Sequence, residues 1–277
     1  MLLQIPTYAT IARNKAESAH PEMWPVHAWC PAIQRGGNVV QDFCGQAHAT
    51  MNGTWDWNPD LPGIRTPYNG TSYNYGSLPA NSLTDMGQDF TADVVLYTHD
   101  YKPSSSGSEF LLGKSTEGSQ NSLLLRYIYG DWSTTLYCQQ YRDGWTANSD
   151  QTTHQLGNPI STPGDRFSGI WLIRFVCPSV GVMKAWVNNS YAVGTNADIS
   201  TMAWNEVTNL FGRTNSYTYV TYSNILSISL HNRIIDEPLT DPFSWLRKHK
   251  RKYYRATTTS GPNLAAAAYY YQRMIAG

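Results

Sequence analysis

The chain has little charge and no long apolar run. Asp, Glu, Lys and Arg make up only 14% of its 277 residues, and no segment approaches the roughly 18 apolar residues of a membrane-spanning helix. The N-terminal MLLQIPTYATIARNKAESAHP lacks the basic start and apolar core of a secretory signal, so synthesis in a cytoplasm without export is expected. Cysteine is scarce. Cys30, Cys44, Cys138 and Cys177 show no C-x-x-C spacing, which argues for free thiols over disulfides or zinc. In an unexported chain the sequons at Asn52, Asn69 and Asn188 carry no glycan. No repeat is visible, which excludes solenoids and propellers. No P-loop, dinucleotide-binding glycine motif, nucleophile elbow, H-x-H or H-E-x-x-H occurs.

What is abundant is aromatic: 19 Tyr and 10 Trp lie among strand formers and loops rich in Gly, Pro, Ser, Thr and Asn. Period-2 patterns start after residue 88. In DFTADVVLYTHD, Asp93, Val95 and Tyr97 alternate with Val94, Leu96 and Thr98. SLLLRYIYG and TTLYCQQY read as a hairpin. WLIRFVCP sets Trp171, Ile173 and Phe175 against Leu172, Arg174 and Val176, and VMKAWVNN points Met183, Ala185 and Val187 inward and Lys184, Trp186 and Asn188 outward. NILSISLHNR alternates most cleanly. It predicts Asn224, Leu226, Ile228 and Leu230 on the packed face and Ile225, Ser227, Ser229 and His231 on a wet one. With no long amphipathic helix between these runs, the expected fold is all-β: a two-sheet antiparallel sandwich.

Several segments in order resemble one family. HPEMWPVHAWCPAI, VVQDFCGQAHATMNG, TPYNGTSYNYGSLP, FLLGKST, GIWLIRFVCPSVGVMKAWVNN and LFGRTNSYTYVTYSNILSISLHNRIIDEP look like the laminin G-like, concanavalin A-like jelly rolls found in bacteriophage and prophage virion-associated proteins. Asp42, Gly45 and His48 match a D-x-S-G-x-x-N-H-G motif in which Cys44 replaces Ser and Ala47 replaces Asn. Tyr68, Asn69 and Gly70 stand for F-D-G, and Val187 and Asn188 match Y-V-N-G in part, with Asn189 in place of Gly. Phe211-Gly212-Arg213 and His231-Asn232-Arg233 match the closing motifs. The resemblance implies a jelly roll over residues 24–246; the mixed polar stretch 1–23, interrupted at Pro6 and Pro21, and the basic, aromatic stretch 247–277 cannot form a core by themselves and are expected to be a docking arm and a docking tail.

Catalysis is not expected. A glycosidase on such a fold needs two carboxylates across a cleft, whereas Asp236 and Glu237 are adjacent and would diverge on a strand, and Asp143, Asp150 and Asp165 lie in loops. No cofactor is expected. Calcium, which laminin G-like domains often hold, is a lesser alternative because Asn69 replaces the F-D-G aspartate. The candidate glycan-binding rings are Trp55, Trp57, Tyr73, Tyr75, Trp132 and Trp145, set beside Asp and Asn side chains that bond sugar hydroxyls. The plainer reading places the same rings in the core or in a subunit interface.

Charge is concentrated near one end. FSWLRKHKRKYYR, 243–255, holds six Lys and Arg residues, and without them the chain has 14 basic against 20 acidic residues. Because tyrosines and a tryptophan are interleaved with the charges, the run reads as a protein-docking segment rather than a nucleic-acid arm. Trp245, Arg247, Lys250, Arg251, Tyr253, Tyr254 and Arg255 are the candidate contacts. Together with the resemblance, this implies a noncatalytic bacteriophage virion protein, a surface capsid decoration or fibre-type subunit. Its expected partners are capsid or other virion proteins and further copies of itself. The alternative is a carbohydrate-binding adhesin or tail-fibre module recognising a host-surface glycan, and a glycan-degrading enzyme is the weaker one.

Overall fold

The computed structural model describes residues 24–34, 36–57, 63–65, 74–98, 107–113, 124–129, 136–141, 151–156, 169–193, 204–212 and 224–243. The expected arm and the whole of the expected tail, with every basic residue of the 243–255 run, lie outside them.

Among the described residues, two eight-stranded antiparallel sheets form a jelly-roll sandwich. In chain order the strands are β1 (His27–Trp29), β2 (Val39–Val40), β3 (Ala49–Asn52), β4 (Asp56–Trp57), β5 (Ile64–Arg65), β6 (Tyr75–Ser77), β7 (Phe90–Thr98) and β8 (Gly107–Gly113). After these come β9 (Leu124–Tyr129), β10 (Leu136–Tyr141), β11 (Gln151–Leu156), β12 (Gly169–Cys177), β13 (Lys184–Val187), β14 (Ser190–Val193), β15 (Asn209–Leu210) and β16 (Asn224–His231). The first sheet runs β14-β13-β12-β7-β16-β5-β4, with β1 also paired to β16. The second runs β11-β10-β9-β8-β15-β6-β3-β2.

Alternation explains the core. On β7, Phe90, Ala92, Val94 and Leu96 enter the main core, and on β12 Ile173, Phe175 and Cys177 meet them, with Trp171 packed at the margin. Val95 faces the other way, into a second cluster with Leu226 and Leu239 against which Tyr97, Ile170 and Leu172 pack. The β9–β10 hairpin forms as the sequence predicts. On β13, Ala185 and Val187 are buried while Lys184 and Trp186 stay half-exposed.

Strand β16 departs from its predicted alternation in two ways. A register shift between Ile225 and Ser227 leaves Leu226 as an extra residue opposite β7. One inserted residue inverts the phase of the residues after it, so Ile225, Ile228 and Leu230 share the main core while Leu226 joins the outer cluster. The face expected to be wet is also dry: Ser227 is 2% and Ser229 3% exposed. Ala32, from the single-turn 3-10 helix Pro31–Ile33, and Leu239 and Phe243 from the segment after β16 pack on this side. Alternation reports the side chains of one strand, not the loops that return over it.

Candidate functional site

The Asp42 motif is a structural knot. Asp42 sits just after β2, and its Oδ1 accepts from the backbone N–H groups of Ala28 (3.0 Å), Cys44 (3.1 Å) and Gly45 (2.9 Å). Its Oδ2 accepts from Ala47 N–H at 3.0 Å and pairs with His27 Nδ1 at 2.6 Å. The Asp42 N–H donates to His48 Nδ1 at 3.0 Å, and His27 Nε2 reaches Asp85 Oδ1 at 2.8 Å. Burial alone would raise the Asp42 carboxyl, but the hydrogen bonds from His27, Ala28 and Gly45 outweigh it and hold the group below the usual carboxylate range. Burial would likewise lower His27, yet its bonds to Asp42 and Asp85 and their negative charge lift it above an ordinary imidazole. A Cβ on Gly45 would collide with the His27 ring and the Asp42 carboxylate, which accounts for the glycine of this motif.

A second buried ion group lies on the outer face of the first sheet. Arg174 grips Asp93 with two hydrogen bonds, 2.7 Å from Nε and 2.9 Å from Nη2, and His231 Nε2 lies 3.0 Å from Asp93 Oδ2. Arg174 Nη1 also donates to the Glu237 carbonyl at 3.0 Å, tying the segment after β16 onto the sheet. Burial pushes the Asp93 carboxyl up, but the bonds from Arg174 and His231 prevail and hold it below its ordinary value. Asp42 and Asp93 are therefore engaged by the scaffold, which removes them as acid–base groups. Among the described residues, no group of three or more His, Cys, Asp or Glu is disposed to hold a metal ion.

The closing motifs are structural as well. Phe211 is fully buried with φ of 61°, and a Cβ on Gly212 would overlap the Asn74 carbonyl, so Phe-Gly fits where two backbone segments touch. Asn188, in the two-residue link between β13 and β14, also has positive φ, 51°, which Asn tolerates, and its Oδ1 accepts from Leu172 N–H at 3.1 Å.

Of the candidate rings, Trp55 and Trp57 are half-buried and pack against the main core. Trp55 meets Phe211 edge-on at 6.4 Å and donates from Nε1 to the Asn52 carbonyl at 2.9 Å. Tyr75 is half-buried on β6. Tyr73, Trp132 and Trp145 lie outside the described residues, as do the candidate assembly contacts Trp245, Arg247, Lys250, Arg251, Tyr253, Tyr254 and Arg255, and Asn69 of the lesser calcium alternative.

Among the described residues, the most open aromatic side chain is Tyr191, which the candidate set did not include. Trp186 on β13 pairs directly across the ladder with Tyr191 on β14, their ring centroids 5.0 Å apart and tilted by 43°. Tyr191 is 60% exposed at the sheet edge. Asp236 fixes the indole, accepting from Trp186 Nε1 at 3.1 Å through Oδ1, while its Oδ2 pairs with Lys184 Nζ. The Lys184 bond lowers the Asp236 carboxyl, so it is ionised at neutral pH. The sequence signal was the outward placement of Lys184 and Trp186 in VMKAWVNN. The partner Asp236, 50 positions beyond Trp186, carried none.

No protein-family model matches the chain, and no curated protein matches it. Solved structures do. Botulinum neurotoxin type C, in a structure that concerns its interaction with two ganglioside molecules, matches with a TM-score of 0.58 at 10% identity, over 79% of this chain and 50% of that one. The binding domain of botulinum neurotoxin DC in complex with SialylT matches with a TM-score of 0.56 at 11% identity, over 78% and 49%. A mutant Trypanosoma rangeli sialidase displaying trans-sialidase activity matches with a TM-score of 0.50 at 12% identity, over 82% and 36%. The chain thus spans about half the length of the botulinum chains and about a third of the sialidase. At these identities the likeness establishes the jelly-roll fold alone.

Proposed function

We propose that the chain is a noncatalytic carbohydrate-binding jelly roll, a module for attachment to a glycan-bearing surface. The observation that carries this reading is the Trp186–Tyr191 pair, held open at the edge of the first sheet beside Asp236 and Lys184. Aromatic faces take the C–H faces of sugars, and neighbouring charged and polar groups bond the hydroxyls. The buried carboxylates of Asp42 and Asp93 are meanwhile tied into the scaffold. The botulinum structures, described with gangliosides and SialylT, support the reading by analogy of fold. Retention of the folded chain on an immobilised glycan panel, and its loss on heat denaturation, tests it; no retention on any glycan refutes it.

A second reading places this module on the surface of a bacteriophage particle, as a capsid decoration or fibre-type subunit assembled with virion proteins after synthesis in the host cytoplasm. The basic and aromatic run 247–255 in a neutral chain favours it. Reversing Arg251 and Arg255 to Glu leaves the sandwich folded on this reading but blocks incorporation into particles. Normal incorporation rejects it.

A further inference from the structure

The edge formed by β13 and β14 has a chemistry that narrows the ligand. Trp186 and Tyr191 are cross-strand partners in tilted ring contact, and a pair of this kind ordinarily serves only to stabilise a hairpin. Here the indole is additionally locked from outside its own hairpin, by a carboxylate on the segment after β16. A side chain fixed by both a ring contact and a hydrogen bond loses little rotamer freedom when something stacks on it, which is what a preorganised contact surface requires.

The polar groups at this edge are bifunctional. Asp236 gives one oxygen to the indole N–H and the other to Lys184, yet a carboxylate has acceptor capacity for about four hydrogen bonds. Lys184 has three donors, of which the ion pair uses one. Side by side they offer an acceptor and a donor, the complement of two adjacent sugar hydroxyls, one giving and one receiving a hydrogen bond. The charge balance disfavours an acidic sugar. Lys184 is paired with Asp236 and Arg174 with Asp93, while the Glu237 carboxylate is exposed beside them. Among the described residues, the exposed and half-exposed charges at this edge are Lys184 against Asp236 and Glu237, which disfavours a ligand carboxylate or sulfate.

Resting on the carbohydrate-binding reading above, we infer that the Trp186–Tyr191–Asp236–Lys184 edge is the sugar-contacting site and that it takes an uncharged pyranose with vicinal hydroxyls rather than a sialylated or sulfated glycan. The rings stack on its C–H face and the Asp236–Lys184 pair reads the diol. Trp55 and Trp57, which pack against the core, are not required for contact with it.

The test is calorimetric titration of the full chain with neutral hexasaccharides of glucose, galactose, mannose and N-acetylglucosamine, beside sialyllactose and a sulfated heparin fragment. Binding of at least one neutral sugar is expected, with none of the acidic ones. Trp186→Ala and Tyr191→Ala should each weaken it about tenfold or more, and Asp236→Asn, which loosens the indole and removes a charged acceptor, should weaken it as well. Thermal midpoints of the three variants verify that the fold persists. Neutral-sugar binding unchanged in both ring variants overturns the site and leaves the carbohydrate reading standing. Binding confined to acidic glycans overturns the ligand class, and binding to no sugar overturns the carbohydrate reading itself.

Discussion

Replacing Asp42 should be among the most damaging single changes in the described part of the chain, and its effect can be worked from its partners. The Asp42→Ala variant strands four backbone N–H groups, those of Ala28, Cys44, Gly45 and Ala47, together with His27 Nδ1. Removing one partner of a buried ion pair destabilises by about 3–5 kcal/mol, a large share of a typical stability of about 5–15 kcal/mol. With a urea slope of about 1–3 kcal/mol per molar, the unfolding midpoint should drop by roughly 1 M or more. Asp42→Asn is the graded test. It keeps one carbonyl oxygen for the Oδ1 donors but turns an amide N–H₂ toward the Ala47 N–H, and should lose about 1–3 kcal/mol. Asp85→Ala removes only the exposed partner of His27 and should change stability by about 0–1 kcal/mol. If Asp42→Ala unfolds at the same urea concentration as Asp85→Ala, the knot is not what holds β1, β2 and the 42–47 turn together.

Stability should also depend on pH with a definite sign. His27 is raised above its ordinary 6.5, so its contribution is complete below that value and fades as pH rises through the folded value, whereas Asp42 and Asp93 are depressed below 3.8 and lose theirs as pH falls through their folded values. The thermal midpoint should therefore peak between about 4 and 6.5, and His27→Gln should flatten the alkaline side; an unchanged alkaline slope contradicts this. Ile228→Ala, fully buried between the sheets, should reduce stability by about 2–5 kcal/mol in urea unfolding. Burial pushes the Cys30 and Cys44 thiols up to about 12, so both should resist alkylation at neutral pH in the native protein, while denatured, freshly isolated chain should titrate as four free thiols.

The fold was legible because β7, β12 and β13 obey strict alternation and because Asp42-Gly45-His48 and Phe211-Gly212 stand at positions where the backbone has few other solutions. The phase of β16 was not legible. A bulge at Leu226 changes no residue type, and the dryness of the Ser227 and Ser229 face depends on Ala32, Leu239 and Phe243, which lie on other segments of the chain. The buried ion groups were hidden for a related reason: His27 to Asp42 spans 15 positions and Asp93 to His231 spans 138, and nothing local marks either. Trp55 and Trp57 stand out in the sequence because they share one face of an extended TWDWN, and Trp132 and Trp145 because they fall at turns. The structure packs Trp55 and Trp57 against the core and exposes Tyr191, paired with the half-buried Trp186, because among the described residues its strand ends the sheet.

The central claim is that this jelly roll holds a glycan without cleaving it. Incubating the chain with the glycan that it retains best, then measuring the mass of the recovered sugar, tests both halves at once. The account predicts saturable retention and a sugar of unchanged mass after prolonged incubation; shortened or hydrolysed glycan, or no retention on any glycan, contradicts it.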